Sequence, residues 1–252
     1  MIKHHYEIFI TYCNVFRMST FQIIKLQLSH MLSKPNLFFV ICTPAILLSI
    51  FADYLKIEGF ILTPIILWIA YYVAYVLVAV NTHRLVILGE ENNFYSFKNR
   101  SKLVFTYIII TLLITFFVYA PWGIVMLLPV MPFEGSSFGV ILGFIFIIVG
   151  LVAMFIVYPS FALHLPLASI GKKIPFFKMW KLSKGFKLTI FLQFLIIMII
   201  FAVPAVPIVL YIGVNLITNI FLSILSIYAF ALTVSCLSRT FILWQEKTDH
   251  KE

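Results

Sequence analysis

The stretch His164–Leu188 reads HLPLASIGKKIPFFKMWKLSKGFKL and is the longest polar interruption in an otherwise apolar chain. It carries Lys172, Lys173, Lys178, Lys181, Lys184 and Lys187 and no acid, with Phe176, Phe177, Met179, Trp180, Leu182 and Phe186 between them. A segment both basic and aromatic belongs on an anionic membrane surface, where each lysine is worth about 1 kcal/mol. Together the lysines exceed thermal energy severalfold, so the segment is expected to lie flat with Trp180 among the headgroups. Pro175 can open a helix at its first turn. From there Lys178, Lys181, Lys184 and Lys187 recur every three residues on one broad flank. Two readings follow: a topology determinant and anchor, or a specific site for an anionic lipid or phosphorylated ligand.

Composition fixes the solvent. Of 252 residues 63% are hydrophobic and 11% charged, with a mean hydropathy of +1.09, whereas soluble domains carry about 25% charge. No single water-soluble core hides so much apolar surface, so the solvent is lipid. The net charge of +9 sits in short islands between apolar runs, which points to lipid headgroups rather than nucleic acid. Cys13, Cys42 and Cys236 form no CxxC and no disulfide framework or metal site. Lys3, His4 and His5 resemble the start of a signal peptide, but Glu7 breaks the run and no cleavage site follows, so the chain is expected to be retained whole.

The expected fold is all-α: a polytopic membrane protein of six transmembrane helices plus an N-terminal amphipathic interfacial helix. Residues 1–35 form the N-terminal segment. Within it Phe16, Phe21, Ile24, Leu28 and Met31 recur at helical spacing among Arg17, Gln22, Lys25 and Ser29. That helix is too polar to span; it lies on the bundle or docks a partner. Residues 36–244 hold six apolar runs, Asn36–Tyr54, Phe60–Val80, Leu103–Leu128, Phe138–Leu163, Leu188–Ile212 and Leu216–Trp244. Each has about the 20 residues a span needs, or more. The polar loops are residues 81–102 and 164–187, and 245–252 is a tail. Of the eighteen Lys and Arg only Lys56 falls on the sparse side, so the positive-inside rule puts both termini and both long loops in the cytoplasm.

The two loops head similar units. Tyr75, His83, Leu88-Gly89 and Pro121 parallel Tyr158, His164, Ile170-Gly171 and Pro204, as in a parallel repeat of helical hairpins. Pro44, Pro64, Pro121, Pro159, Pro204 and Pro207 lie in or beside runs. Each frees a carbonyl, so these positions are expected to face other helices, with kinks near Pro121 and Pro204.

Sites for chemistry are scarce. An ionised group at mid-bilayer costs about 2.5–3.5 kcal/mol, and no Asp, Glu, Lys or Arg sits in the middle of any run. Asp53, Arg84 and Arg239 lie at span ends. That argues against a proton relay, an ion-coupled transporter and an intramembrane protease dyad. His83 and Arg84 precede Glu90-Glu91 by one to two helical turns, so Arg84 can pair with a carboxylate, or His83 and Glu90 can share a proton. The cluster reads as an ion-paired span end or a headgroup site. Gln193, Asn215 and Asn219 read as interhelical hydrogen-bond partners. No HExxH, GxSxG or Gly-rich phosphate loop is present, so no catalytic residue, cofactor or metal is expected.

His83-Arg84-Leu85-Val86-Ile87-Leu88-Gly89-Glu90 resembles an HRxxLLGE signature of a family of bacterial multi-span membrane proteins. Leu165-Pro166-Leu167-Ala168, Gly171 and Trp180-Lys181-Leu182-Ser183-Lys184-Gly185 are similar to the family's LPxxAxG…AWxLTxG segment. The pattern spans about residues 60–240, and it is distantly similar to the membrane domain of some glycerophosphodiester phosphodiesterases, whose catalytic domain has no counterpart here. Ser160 stands where the family pattern carries arginine. The resemblance implies a multi-pass protein of the bacterial cytoplasmic (inner) membrane and no activity. The expected function is non-enzymatic: binding of anionic membrane lipid through Lys172, Lys173, Lys178, Trp180, Lys181, Lys184, His83 and Arg84, in envelope organisation or as a subunit of a membrane-protein partner or homo-oligomer. A transporter or channel with a site between proline-broken helices is the alternative. An enzyme would need His83, Glu90 and His164 to converge.

Overall fold

The computed structural model describes residues 20–57, 64–91, 97–127, 148, 150, 153–213 and 215–249, and among them every regular element is helical. In chain order these are α1 (Thr20–Ser33), α2 (Pro35–Ile57), α3 (Pro64–Leu88), α4 (Phe97–Leu127), a π-helical turn (Ala153–Val157), α5 (Tyr158–Phe161), α6 (His164–Ser169), α7 (Phe176–Leu182), α8 (Lys187–Ile212) and α9 (Leu216–Asp249). Residues 1–19, with Lys3, His4, His5, Cys13 and Arg17, lie outside the described residues, as does half of the fourth apolar run; Glu58, Glu134 and the side chains of Asp53, Lys56 and Pro121 do too.

Helix α9 is the axis. It packs against α1, α2, α3, α6 and α8. Its inner part is lined by Ala231, Ser235, Cys236, Ser238 and Thr240, all fully buried, and small residues let neighbouring backbones approach closely. Its hydroxyls return to the helix's own carbonyls, Thr233 to Ala229 (2.9 Å), Ser238 to Val234 (2.9 Å) and Thr240 to Cys236 (3.0 Å), so burial leaves none of them unmet. Gln193 of α8 is cross-linked to Thr240 at 2.8 Å. Asn215 takes another role: its Oδ1 accepts from Thr218 N–H (2.9 Å) while Thr218 Oγ1 accepts from Asn215 N–H (2.8 Å), so it caps α9 rather than bridging helices. Asn219 contributes its backbone N–H to Asn215 O.

Among the described residues five helices are long and apolar enough to cross a membrane: Pro35–Ala52, Ile69–Leu88, Arg100–Val118, Lys187–Ile212 and Leu216–Thr248. Of the 26 residues of α8 just Ile190, Gln193 and Ile197 are buried, and its outward surface includes Leu188, Ile199, Val203 and Leu210. So large an apolar face is at home only in lipid or against a partner. At 26 residues and ~1.5 Å per residue α8 is about 39 Å long, more than the ~30 Å hydrocarbon core.

Two expectations change. In α1 the buried stripe is Ile23, Ile24, Gln27 and Met31, while Phe21 and Leu28 point outward. Gln27 turns the helix: buried on α9, its Oε1 accepts from Ser235 at 2.6 Å. The outward stripe Phe21, Lys25, Leu28, Leu32 is itself amphipathic. Second, α8 runs unbroken through Pro204 and Pro207, and both are exposed instead of facing other helices. Each proline removes one backbone donor and crowds the carbonyl one turn back, yet the helix continues through both.

Candidate functional site

Helix α3 ends in a buried polar group. Asn81, Thr82 and His83 are 0–1% exposed. Gly89 stops the helix at φ +68°, a conformation glycine adopts without a steric penalty, and its N–H donates to Leu85 O at 3.0 Å. The chain then turns Glu90 back under the helix. Arg84 grips Glu90 with two nitrogens, Nε to Oε2 at 2.9 Å and Nη2 to Oε1. Arg100, the first residue of α4's apolar stretch, donates Nη2 to Glu90 Oε2 at 2.7 Å and Nη1 to Asn81 Oδ1. Glu90 thus bridges two arginines. The hydrogen bonds from Arg84 and the charges of Arg84 and Arg100 hold its carboxyl below the usual range against the opposing effect of burial. Next to it Glu91 pairs with Lys34 at the start of α2, which lowers its carboxyl too.

His83 faces the other way. Ser238 gives its hydroxyl proton to Val234 O, so at 2.7 Å it accepts from His83 Nδ1–H; Nε2 is then bare and accepts from Tyr107 Oη at 3.2 Å. The chain Tyr107–His83–Ser238–Val234 joins α4, α3 and α9 with each proton assigned.

The second loop is built on stacking. Ser169 ends α6, and Gly171 at φ +75° closes it: Gly171 N–H donates to Ala168 O (3.1 Å) and Lys172 N–H to Leu167 O (3.0 Å), a Schellman pair. Arg84 Nη1 donates to the Ser169 carbonyl at 3.0 Å, tying the first loop to the second. Phe176 opens α7 and stacks on Phe161 (centroids 4.2 Å, 13°) and His164 (5.0 Å, 7°). His164 Nε2–H donates to Phe176 O at 3.0 Å. Helix α7 drives Met179 into the core at 0% exposure, and Trp244 Nε1–H of α9 donates to Leu182 O at 3.0 Å. The lysine-bearing helix ends there: residues 183–186 form a turn and Lys187 starts α8. The single continuous flank of lysines is therefore divided.

Lys172, Lys173, Lys178, Lys181 and Lys184 are exposed, and among the described residues none of them, nor Lys187, forms an ion pair. Phe177 and Trp180 beside them are 70% and 38% exposed. Lys187 Nζ stands 4.1 Å over the Trp180 ring. Of the residues singled out from sequence, Lys172, Lys173, Lys178, Lys181, Lys184 and Trp180 are exposed on the second loop, whereas Arg84 is partly buried and His83 fully buried. His83, Glu90 and His164 do not converge, since each has its own partners. Among the described residues no cluster of His, Cys, Asp and Glu is arranged to hold a metal, and Cys42 and Cys236 are free and buried.

Sequence reasoning missed Arg100, Tyr107 and Trp244 as supports. The inward line Arg100, Val104, Tyr107, Ile114, Val118 repeats at helical spacing, but apolar neighbours on every side conceal it. Deeper in the bundle a cavity of about 720 Å³ lies between α4, α5, α8 and α9, with an almost wholly apolar wall. No family model matches the chain, and no curated protein or solved structure is significantly similar to it.

Proposed function

We propose that the chain is a non-enzymatic, six-span protein of a bacterial cytoplasmic membrane, both termini inside and α1 at the interface, that holds anionic lipid at its inner rim. The contacts are Lys172, Lys173, Lys178, Lys181 and Lys184, with Trp180 in the headgroup zone; Arg84 and His83 are the buried footing below. The observation that carries this reading is a set of exposed lysines without acid partners among the described residues, beside outward-facing Phe177 and Trp180. Against anionic headgroups each such lysine is worth about 1 kcal/mol. The loops' likeness to the six-span family agrees with the same placement. Envelope organisation, or a position beside a membrane-protein partner, is the context we propose for it. Transport of a polar solute gains no support from a cavity so apolar.

Native mass spectrometry on protein extracted in mild detergent tests it. Changing Lys172, Lys173, Lys178 and Lys181 to Gln removes about 4 kcal/mol of attraction, and the expected result is loss of the preference for anionic over zwitterionic lipid. An unchanged preference refutes the reading. So does labelling of a thiol placed at position 178 from outside sealed cells.

A further inference from the structure

We propose that the cavity between α4, α5, α8 and α9 is a binding site for one acyl chain of a membrane glycerolipid. Protein interiors contain few voids larger than a water molecule. This one, about 720 Å³, falls within the ~300–1,000 Å³ of ligand pockets. The wall is poorly suited to water: a buried water needs two to four polar partners, and the Thr111, Ser226 and Thr233 hydroxyls already donate to carbonyls of their own helices. In a bilayer the apolar material nearest to hand is a lipid tail.

The shape agrees. Along α8 the wall runs from Phe191 to Ala205, about 21 Å at ~1.5 Å per residue, against ~15 Å for half of a ~30 Å core. The antiparallel α9 lines it from Leu237 back to Leu222, and α4 from Tyr107 to Val118, so three helices give the site the same inner and outer ends. Leu195 and Met198 belong to the wall and are also 41% and 52% exposed, which gives a tail a lateral way in.

Two tyrosines mark the inner half. Tyr158 lines the cavity, its ring 6.1 Å from that of Phe194, and among the described residues its hydroxyl has no hydrogen-bond partner. Tyr107, on the same wall, gives its proton to His83. The local backbone makes room for Tyr158: Pro159 has no N–H to return to the preceding turn, and that turn is the wider π-helical Ala153–Val157. The Tyr158 hydroxyl is a donor suited to an ester carbonyl. At the inner end Leu165 comes less than two turns before Gly171 and Lys172, and Phe191 one turn after Lys187. A lipid whose tail enters here has its headgroup beside the lysines. That last step rests on the surface reading above; the tail site does not.

The test is native mass spectrometry of lipids retained by the full chain. Ala229→Phe, on the cavity wall, is expected to lower retention at least tenfold for every headgroup class. Ala205→Trp, at the outer end, is expected to shift the retained lipids to shorter chains. If both variants lose their fold, as read by melting in detergent, Tyr158→Phe decides, with a several-fold loss of retained lipid expected. Unchanged retention and chain length in the folded variants, or in Tyr158→Phe, overturns the inference and leaves the cavity a packing feature. The lysine-to-Gln chain separates the two readings: loss of anionic preference with the same chain lengths supports the surface and keeps the tail site, whereas retained preference in that chain sinks the surface reading alone.

Discussion

Glu90-Glu91 directly follows Gly89, and Lys172-Lys173 directly follows Gly171. The two glycines end their helices in the same left-handed conformation, and the pairs after them are opposite in charge. In the first loop both acids are engaged: Glu90 takes Arg84 and Arg100, and Glu91 takes Lys34 from the start of α2, while Lys102 stays exposed. In the second, no acid meets any lysine among the described residues. Counting bases along the chain treats both loops alike. The structure separates them into a footing tied by ion pairs and a face of free lysines. Residue type follows the division. Arginine's fixed fork suits a shared, part-buried carboxylate, and lysine's compact, well-hydrated charge suits an open surface.

The sharpest way to break this contrast is to remove the acid. Glu90→Gln leaves two part-buried guanidinium groups, with side chains 16% and 9% exposed, facing each other without an anion. Breaking a buried pair costs about 3–5 kcal/mol, and partial exposure brings the expected loss down to about 3 kcal/mol, read as unfolding in detergent or bicelles. Acid should act in the same way. Because the Glu90 carboxyl is held below its ordinary value, its contribution is fully present above the unfolded-state value and is lost as pH falls through the lowered one. Stability of the parent chain should therefore decline below about pH 4.5, and the Glu90 contribution to that slope should vanish in Glu90→Gln.

The matched glycines give a smaller, paired effect. A left-handed residue other than glycine costs about 1–2 kcal/mol. At Gly89 an added Cβ meets nothing within 4 Å, while at Gly171 it meets Leu103 Cδ2 at 3.4 Å. Gly171→Ala is expected to cost about 1.5 kcal/mol and Gly89→Ala about 1 kcal/mol. The reverse order, by the same unfolding measurement, would mean that the second loop is the less tightly held of the two. Trp244→Phe comes next. It deletes one hydrogen bond to Leu182 O, about 1 kcal/mol, and amide exchange should rise in residues 176–183 while the first loop is unchanged.

Much of the fold was legible because apolar runs of spanning length announce themselves. The orientation of each helix was not. In α4 and α8 nearly every position is apolar, so hydropathy has no periodic component from which to read a buried face. Scattered polar residues were a partial guide: Gln193 was singled out in that way and does cross to α9, at Thr240, whereas Asn215 caps its own helix. In α1 the expected Ile24 and Met31 are buried, but the buried Gln27–Ser235 hydrogen bond, which hydropathy gives no sign of, rotates Phe21 and Leu28 outward. In the candidate site the Arg84–Glu90 pair could be anticipated from its spacing along one chain segment. Arg100 could not, since its approach to Glu90 depends on how α4 re-enters beside α3. The stacking of His164 on Phe176 was hidden for the same reason.

The finest contrast lies within the second loop. Lys178 is exposed, with no ion pair or ring contact among the described residues, whereas Lys187 stands over Trp180 at 4.1 Å. A cation over an indole face at a surface is worth about 0.5–1 kcal/mol, while removing an exposed charge without a partner moves stability by less than about 0.5 kcal/mol. Lys187→Gln should therefore cost about 0.5 kcal/mol and shift the Trp180 fluorescence, and Lys178→Gln should do neither. Both remove one positive charge from the rim, so both should weaken retention of anionic lipid by a similar factor. Equal stability with unequal lipid retention would show instead that the indole, and not the summed charge, is what the headgroup reads.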